Sequence, residues 1–111
     1  MCLARQTYAA ASRLPMHETH GLGSQMRRAA VSVPSNIAEG YGRASLREYL
    51  RYLSFANGSL LELETQVILA RDVGYLSEAE GADLLEAASQ VGRMLARMTA
   101  ALRRKALGYK P

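Results

Sequence analysis

The sequence has little of what secreted, membrane-spanning and catalytic proteins are usually built from. Its 111 residues include one cysteine, one phenylalanine and no tryptophan, and aromatic residues make up 6%. A single cysteine, Cys2, excludes an intrachain disulfide and favours a reducing compartment. No apolar run approaches the roughly 20 residues that span a membrane, and the N-terminus lacks the basic-then-apolar order of a signal peptide. We therefore expect a cytoplasmic protein without a membrane segment.

The abundant residues predict an all-α fold. Apolar residues make up 49% of the chain, and Ala, Leu, Arg and Glu, which all favour helices, dominate the composition. The 3 prolines and 9 glycines are few and clustered, as expected where helices begin and end. A chain of this length forms one domain with a hydrophobic core. We predict a single domain over residues 1–111, with a short basic C-terminal tail.

Two Ser-x-x-Glu segments, 45–48 and 77–80, mark the starts of the longest helices. Each fits the capping box, in which the serine hydroxyl and the glutamate carboxylate bond each other's free backbone N–H groups. Between them, Gly74 can end a helix in the left-handed conformation. We predict helices over 45–72 and 77–106, and the short link between them makes them antiparallel neighbours.

Apolar side chains recur in alternating steps of three and four over 46–70 and 84–102. This period is typical of helices that pack at shallow angles in bundles. Earlier in the chain, the same period predicts helices over 2–14 and 23–39. Pro34 lies inside the second of these and removes a backbone hydrogen bond, so we expect a kink there. The expected fold is an antiparallel four-helix bundle.

The net charge of +4 is unevenly distributed along the chain. Residues 62–86 contain seven acids and one base, whereas residues 93–111 contain six bases and no acid. A second basic group lies within residues 27–51. Such polarity suggests an anionic partner or head-to-tail self-association.

The arginines of the last helix are candidates for nucleic-acid binding. On a helical wheel Arg93, Arg97 and Arg104 fall within about 40° of one another, almost opposite the apolar seam. A one-sided row of guanidinium groups can track phosphates with little sequence preference. The alternative is a solvated face that keeps the protein soluble.

Further arginines earlier in the chain form a possible second basic patch. As an alternative, Arg27 or Arg28 pairs with Glu64, which lies at the edge of the apolar stripe where an unpaired charge is costly. The full set of candidate nucleic-acid-binding residues is Arg27, Arg28, Arg43, Arg47, Arg51, Arg93, Arg97, Arg104 and Lys105.

Gly58 is a candidate for the interface between subunits. It falls mid-helix on the face away from the seam, where glycine costs about 1 kcal/mol relative to alanine. Close approach by the backbone of a neighbouring subunit would explain why glycine is tolerated there. The alternative is a glycine without a role.

Catalytic and metal-binding patterns are weak. His17 and His20 lie in a predicted loop, lack the spacing of zinc proteases and have no third ligand nearby. Glu39 has no second carboxylate or nucleophile–base pair close in sequence, and Asn36 is expected to bond carbonyls that Pro34 leaves free. We predict no enzyme, no catalytic residue, no metal, no cofactor and no small-molecule substrate.

The segment from Gln25 to Arg43 closely resembles the hallmark of one bacterial family. It reads QMRRAAVSVPSNIAEGYGR, and residues 58–66, GSLLELETQ, and 72–76, DVGYL, are similar to the same family. The family comprises proteins encoded within intervening sequences of 23S ribosomal RNA genes. The resemblance covers about residues 22–105. Family members usually start with a longer, aromatic-rich first helix, and here that part is shorter.

The resemblance implies a four-helix bundle that assembles into a homopentamer. It also implies a link to the accessory proteins of diversity-generating retroelements, which bind a reverse transcriptase and nucleic acid through a basic surface. The expected function is binding of RNA or DNA by a non-enzymatic oligomer through arginine-rich faces, on ribosomal RNA with an intervening sequence or in a retroelement complex. The alternative is an adaptor that docks an acidic protein, such as a reverse transcriptase, without direct nucleic-acid binding.

Overall fold

The computed structural model describes residues 2–108, apart from the side chain of Cys2, and confirms the all-α, four-helix fold. A turn of 3-10 helix, Met16–Glu18, lies between the first two α-helices. The four helices are α1 (Cys2–Ala11), α2 (Leu22–Tyr41), α3 (Leu46–Asp72) and α4 (Glu78–Ala106). Lys110, which the sequence analysis counts in the basic tail, lies outside the described residues.

Each helix packs against two neighbours, in the order α1, α2, α3, α4 and back to α1. The bundle is elongated, with principal extents of 50 × 23 × 19 Å. The apolar positions of the predicted seams form one continuous core. The largest buried apolar side chains are Leu3, Met26, Val33, Leu53, Leu60, Leu63, Val67 and Leu95. The buried hydroxyl of Thr7 donates to the carbonyl of Leu3 at 2.7 Å, so burial leaves no unpaired polar group there.

The local signals at the α3–α4 turn behave as predicted. Ser77 and Glu80 form a complete capping box, and Gly74 adopts φ +86° directly after the end of α3. At the start of α3, the Ser45 hydroxyl accepts from the N–H of Glu48 at 3.1 Å. The carboxylate of Glu48 lies 3.7 Å from Arg51, and the structure describes no bond from it back to Ser45.

The first two helices differ in length from the prediction. α1 ends at Ala11, three residues before its predicted end, and the chain continues as a turn; Pro15 disfavours helical geometry at Leu14. α2 runs from Leu22 to Tyr41, two residues beyond its predicted end, because Gly40 packs inside the bundle and does not end the helix. α2 continues through Pro34, and the kink stays a prediction.

The short α1 divides the bundle into two different ends. α1 has 10 residues, against 27 in α3 and 29 in α4. Arg13, just after α1, pairs with Glu80 at the start of α4, which places α1 at the end of the bundle that contains the α3–α4 turn. Within residues 2–108, the opposite end is therefore built from three helices, with the start of α3 beside the last turns of α4.

Candidate nucleic-acid interface

The antiparallel order of α3 and α4 gathers most bases at one end of the molecule. We call residues 39–54 and 97–108 the basic end. It contains seven bases and two acids. The bases are Arg43, Arg47, Arg51, Arg97, Arg103, Arg104 and Lys105, and the acids are Glu39 and Glu48.

The opposite end of the bundle has the reverse charge. We call residues 13–22 and 62–86 the acidic end, which contains eight acids and two bases. The acids are Glu18, Glu62, Glu64, Asp72, Glu78, Glu80, Asp83 and Glu86, and the bases are Arg13 and Arg71. The charge separation seen along the sequence is therefore also a separation along the 50 Å axis of the bundle.

Two acids of the acidic end are held by hydrogen bonds. The Glu18 carboxylate accepts from the backbone N–H of Leu22 at 3.1 Å and from the Tyr75 hydroxyl at 3.0 Å. These two bonds lower the pKa of Glu18, and the bond to Glu18 raises the pKa of Tyr75. The N–H of Ser77 likewise lowers the pKa of Glu80. Both carboxylates are therefore structural groups that tie loops to helix starts.

At the basic end, two arginines are partly occupied by neighbouring side chains. Arg43 donates to Glu39 at 2.7 Å and to the Tyr52 hydroxyl at 2.8 Å. Arg51 lies 3.7 Å from Glu48. Both acids of the basic end thus face an arginine, and such exposed pairs are weak enough to exchange for phosphate.

The remaining bases of the basic end are free. In the part of the chain that the structure describes, no acid or hydrogen-bond acceptor pairs with them. They are Arg47 at the start of α3 and Arg97, Arg103, Arg104 and Lys105 in the last turns of α4, and all are exposed. Arg103 was not among the predicted residues, because it leans from the outer row towards α3, where it lines a groove with Leu50.

The predicted row on α4 is only partly available. Arg93 donates to the Ser89 hydroxyl at 2.7 Å and lies 3.7 Å from Glu86. Arg97 and Arg104 have no such partners among residues 2–108. Phosphate contacts on this row are therefore easiest at its C-terminal end.

Arg27 and Arg28 are not brought together with Arg43. Arg28 lies 13 residues before the end of α2 at Tyr41, which is about 20 Å of helix, and Arg43 lies beyond that end. Arg27 donates to the carbonyl of Thr19 at 2.8 Å, and its expected pair with Glu64 is not formed in the described structure. Arg28 is exposed and lines a polar surface cleft between α2 and its neighbours.

The outer face of α3 around Gly58 is open and apolar. A side chain added at Gly58 would meet no atom within 4 Å, so packing inside the chain does not require glycine there. Leu61, Ile68 and Leu69 on the same side of α3 are 55%, 41% and 50% exposed. This face can accept a second protein surface.

Two pairs of rings beside these arginines were not predicted from the sequence. Tyr41, Tyr49, Tyr52 and Phe55 are four of the seven aromatic residues of the chain, and they lie at the end of α2 and in the first three turns of α3. Tyr41 and Tyr49 have ring centroids 6.1 Å apart, and Tyr52 and Phe55 are 5.3 Å apart. The alternation of these rings with arginines over 41–55 was a signal that could have found them.

The other candidate residues have structural partners. Asn36 donates to the carbonyl of Ser32 at 2.8 Å, whereas the carbonyl that Pro34 leaves without its helical donor is that of Ala30, so the predicted role of Asn36 is not the one observed. His17 lies 3.2 Å from the Tyr75 hydroxyl. Among the described residues, no group of three potential ligands is placed to bind a metal, and no helix there is apolar over enough length to span a membrane.

Comparison with known proteins identifies the family. The family model described as 23S rRNA-intervening sequence protein matches residues 1–97. No curated protein matches the chain.

Proposed function

Because the chain belongs to the 23S rRNA-intervening sequence protein family, we propose that it is a non-enzymatic, homo-oligomeric protein that binds nucleic acid through the basic end of its bundle. The family name points to ribosomal RNA with an intervening sequence as the setting. RNA is therefore the ligand we expect first, with DNA as the comparison.

The separation of charge is the observation that supports this proposal most directly. The basic end holds seven of the fourteen bases and only two of the ten acids. A cluster of free guanidinium groups gains affinity by releasing counterions from phosphates, and this affinity falls steeply with salt. The acidic end repels the same ligand, so the bundle should approach RNA with its basic end first.

We further propose that the outer face of α3 around Gly58 is the contact between copies of the chain. Its exposed leucines supply apolar area, and the glycine lets a second backbone approach closely. The homopentamer implied by the family resemblance would bring several basic ends together. Linked sites raise the overall affinity without any new contact.

A titration of RNA binding against salt tests the proposal. We compare the unmodified chain with R97A/R104A at the basic end and with the charge-matched control R5A/R13A, in α1 and just after it, over about 50–200 mM salt. Log affinity falls with log salt, and each lost phosphate contact makes this negative slope shallower by about 0.9 on a duplex. We expect R97A/R104A to make the slope shallower by nearly two, and the control to leave it unchanged.

Two results would contradict the proposal. Equal losses in R97A/R104A and the control would mean that only the net charge matters. No binding of structured RNA or duplex DNA by the unmodified chain at about 50 mM salt would exclude the nucleic-acid function. The adaptor that docks an acidic protein through the same basic end would then be the better hypothesis.

A further inference from the structure

The aromatic rings at the α2–α3 corner are more exposed than the core of the bundle requires. We call Tyr41, Tyr49, Tyr52 and Phe55 the ring cluster. Tyr41 is 77% exposed and Phe55 is 44% exposed, whereas Tyr49 and Tyr52 are half-buried. Tyr49 and Tyr52 therefore anchor the cluster in the bundle, whereas Tyr41 and Phe55 are exposed, with the guanidinium of Arg51 over the Phe55 ring.

The anchoring rings are held by short contacts. The backbone of Gly40 approaches Tyr49 and Tyr52 so closely that a Cβ at Gly40 would lie 2.7 Å from the Cβ of Tyr52. The hydroxyl of Tyr52 accepts from Arg43 at 2.8 Å. Each exposed ring makes an edge contact with one of these held rings, Tyr41 with Tyr49 and Phe55 with Tyr52.

Cations alternate with the rings. The guanidinium carbon of Arg43 lies 4.9 Å from the ring centroid of Tyr52, and that of Arg51 lies 5.3 Å from the centroid of Phe55. Free Arg47 lies one helical turn before Arg51. A surface of aromatic faces beside guanidinium groups matches a nucleic-acid strand, whose bases stack on rings while its phosphates pair with cations.

A second copy of the chain fits this surface less well. The central parts of protein–protein interfaces are depleted of charged residues, and here Arg43 and Arg51 lie over rings of the cluster. The two acids of the basic end, Glu39 and Glu48, already face Arg43 and Arg51. A self-complementary contact would set arginines against arginines.

We propose that the ring cluster binds unpaired bases of RNA, with Tyr41 and Phe55 stacking on bases and Arg43, Arg47 and Arg51 contacting the adjoining phosphates. The inference rests on the proposed nucleic-acid function and adds the form of the ligand. Bases inside a duplex are stacked on both faces and cannot lie on a ring. The basic end thus accepts any phosphate backbone, while the ring cluster selects single-stranded segments, loops and bulges.

The test separates stacking from charge. Fluorescence anisotropy is measured with a labelled uridine strand of about 12 nucleotides, an RNA duplex of the same length and an abasic strand. We compare Y41A and F55A with the conservative variants Y41F and F55Y. Stacking free energies predict that each alanine variant weakens binding of the uridine strand by roughly 5- to 150-fold. The conservative variants should bind the uridine strand within about twofold of the unmodified chain. The alanine variants should bind the duplex and the abasic strand within about twofold of the unmodified chain.

A spectroscopic test is available because the chain has no tryptophan. F55W places a single indole in the ring cluster, and M16W places one on the exposed 3-10 turn at the acidic end, where Met16 is 92% exposed. We expect the uridine strand to quench the fluorescence of F55W and to leave that of M16W unchanged. The abasic strand should quench neither variant.

The outcomes are distinguishable. If the unmodified chain binds duplex and single strand but Y41A and F55A bind the uridine strand normally, the stacking inference is wrong and the proposed function stands. The inference is also wrong if light scattering shows that these variants lose subunits, since the rings would then belong to an interface between copies. If no nucleic acid binds at about 50 mM salt, the proposed function itself fails.

Discussion

Gly40 of α2 packs directly against Tyr52 and Tyr49 of α3. We predict that alanine at this position destabilises the protein, although alanine favours a helix. A Cβ at this position would lie 2.7 Å from the Cβ of Tyr52 and 3.1 Å from a ring carbon of Tyr49. The Cβ of Tyr52 is fixed to its backbone and cannot turn away. The two helices must therefore move apart to admit a single methyl group.

Two opposing effects determine the magnitude. Replacing a helical glycine with alanine gains about 1 kcal/mol in helix propensity, whereas overpacking costs about 1–3 kcal/mol. Gly92 in α4 provides a matched control, because the nearest atom to its added Cβ is a terminal methyl of Leu60 at 3.4 Å. The propensity gain is common to G40A and G92A, so their free energies of unfolding should differ by about 1–3 kcal/mol.

Urea unfolding followed by circular dichroism measures this difference. All samples need the same protein concentration, because dissociation of an oligomer makes apparent stability depend on concentration. We expect the midpoint of G40A to lie below that of G92A at an unchanged slope. A midpoint of G40A equal to or above that of G92A would refute the close packing of α2 on α3.

Three further predictions concern pH, assembly and charge. The folded protein lowers the pKa values of Glu18 and Glu80. Their ionised carboxylates therefore stabilise the fold above the unfolded-state pKa, and this stabilisation is lost as the pH falls through the folded-state values. The urea midpoint of E18Q/E80Q should fall less between about pH 6 and pH 3 than that of the unmodified chain. G58E should keep its helical circular dichroism but lower the mass measured by light scattering, and an unchanged mass would exclude this face as the contact between copies. R47E should raise the free energy of unfolding by roughly 0.3–1 kcal/mol while weakening RNA binding, and a variant that binds RNA normally would remove Arg47 from the interface.

Local signals were sufficient to predict the fold, and contacts between distant residues explain the exceptions. The capping box at Ser77 and the left-handed Gly74 are each decided within a few residues, and the apolar steps repeat often enough to define both long helices. The helix predicted over 23–39 ends just before Gly40, as if this glycine ended the helix. Gly40 instead packs against Tyr52, twelve residues away on another helix, and a pattern of neighbouring residues cannot predict that contact.

The candidate site was only partly predictable for a similar reason. The outward row of Arg97 and Arg104 follows from helical periodicity, but periodicity does not state which charges meet across helices. Arg47 adjoins the end of α4 only because α3 and α4 are antiparallel. Tyr49 lies within the apolar seam predicted over 46–70, so it was interpreted as a core residue and not as a ring near arginines.

The helix dipole distinguishes bases that stabilise the fold from bases that need another explanation. Arg103, Arg104 and Lys105 occupy the last turn of α4, where a positive charge is favourable next to free carbonyl groups. Arg47 lies in the first turn of α3, where free N–H groups favour an acid and disfavour a base. It is also four residues before Arg51, and two like charges at this spacing repel each other on a helix. Stability therefore accounts for these three bases without any ligand, but not for Arg47. A residue that opposes local energetics is the stronger indication of a binding role, so the affinity of R47E for RNA weighs more than that of any substitution in the last turn of α4.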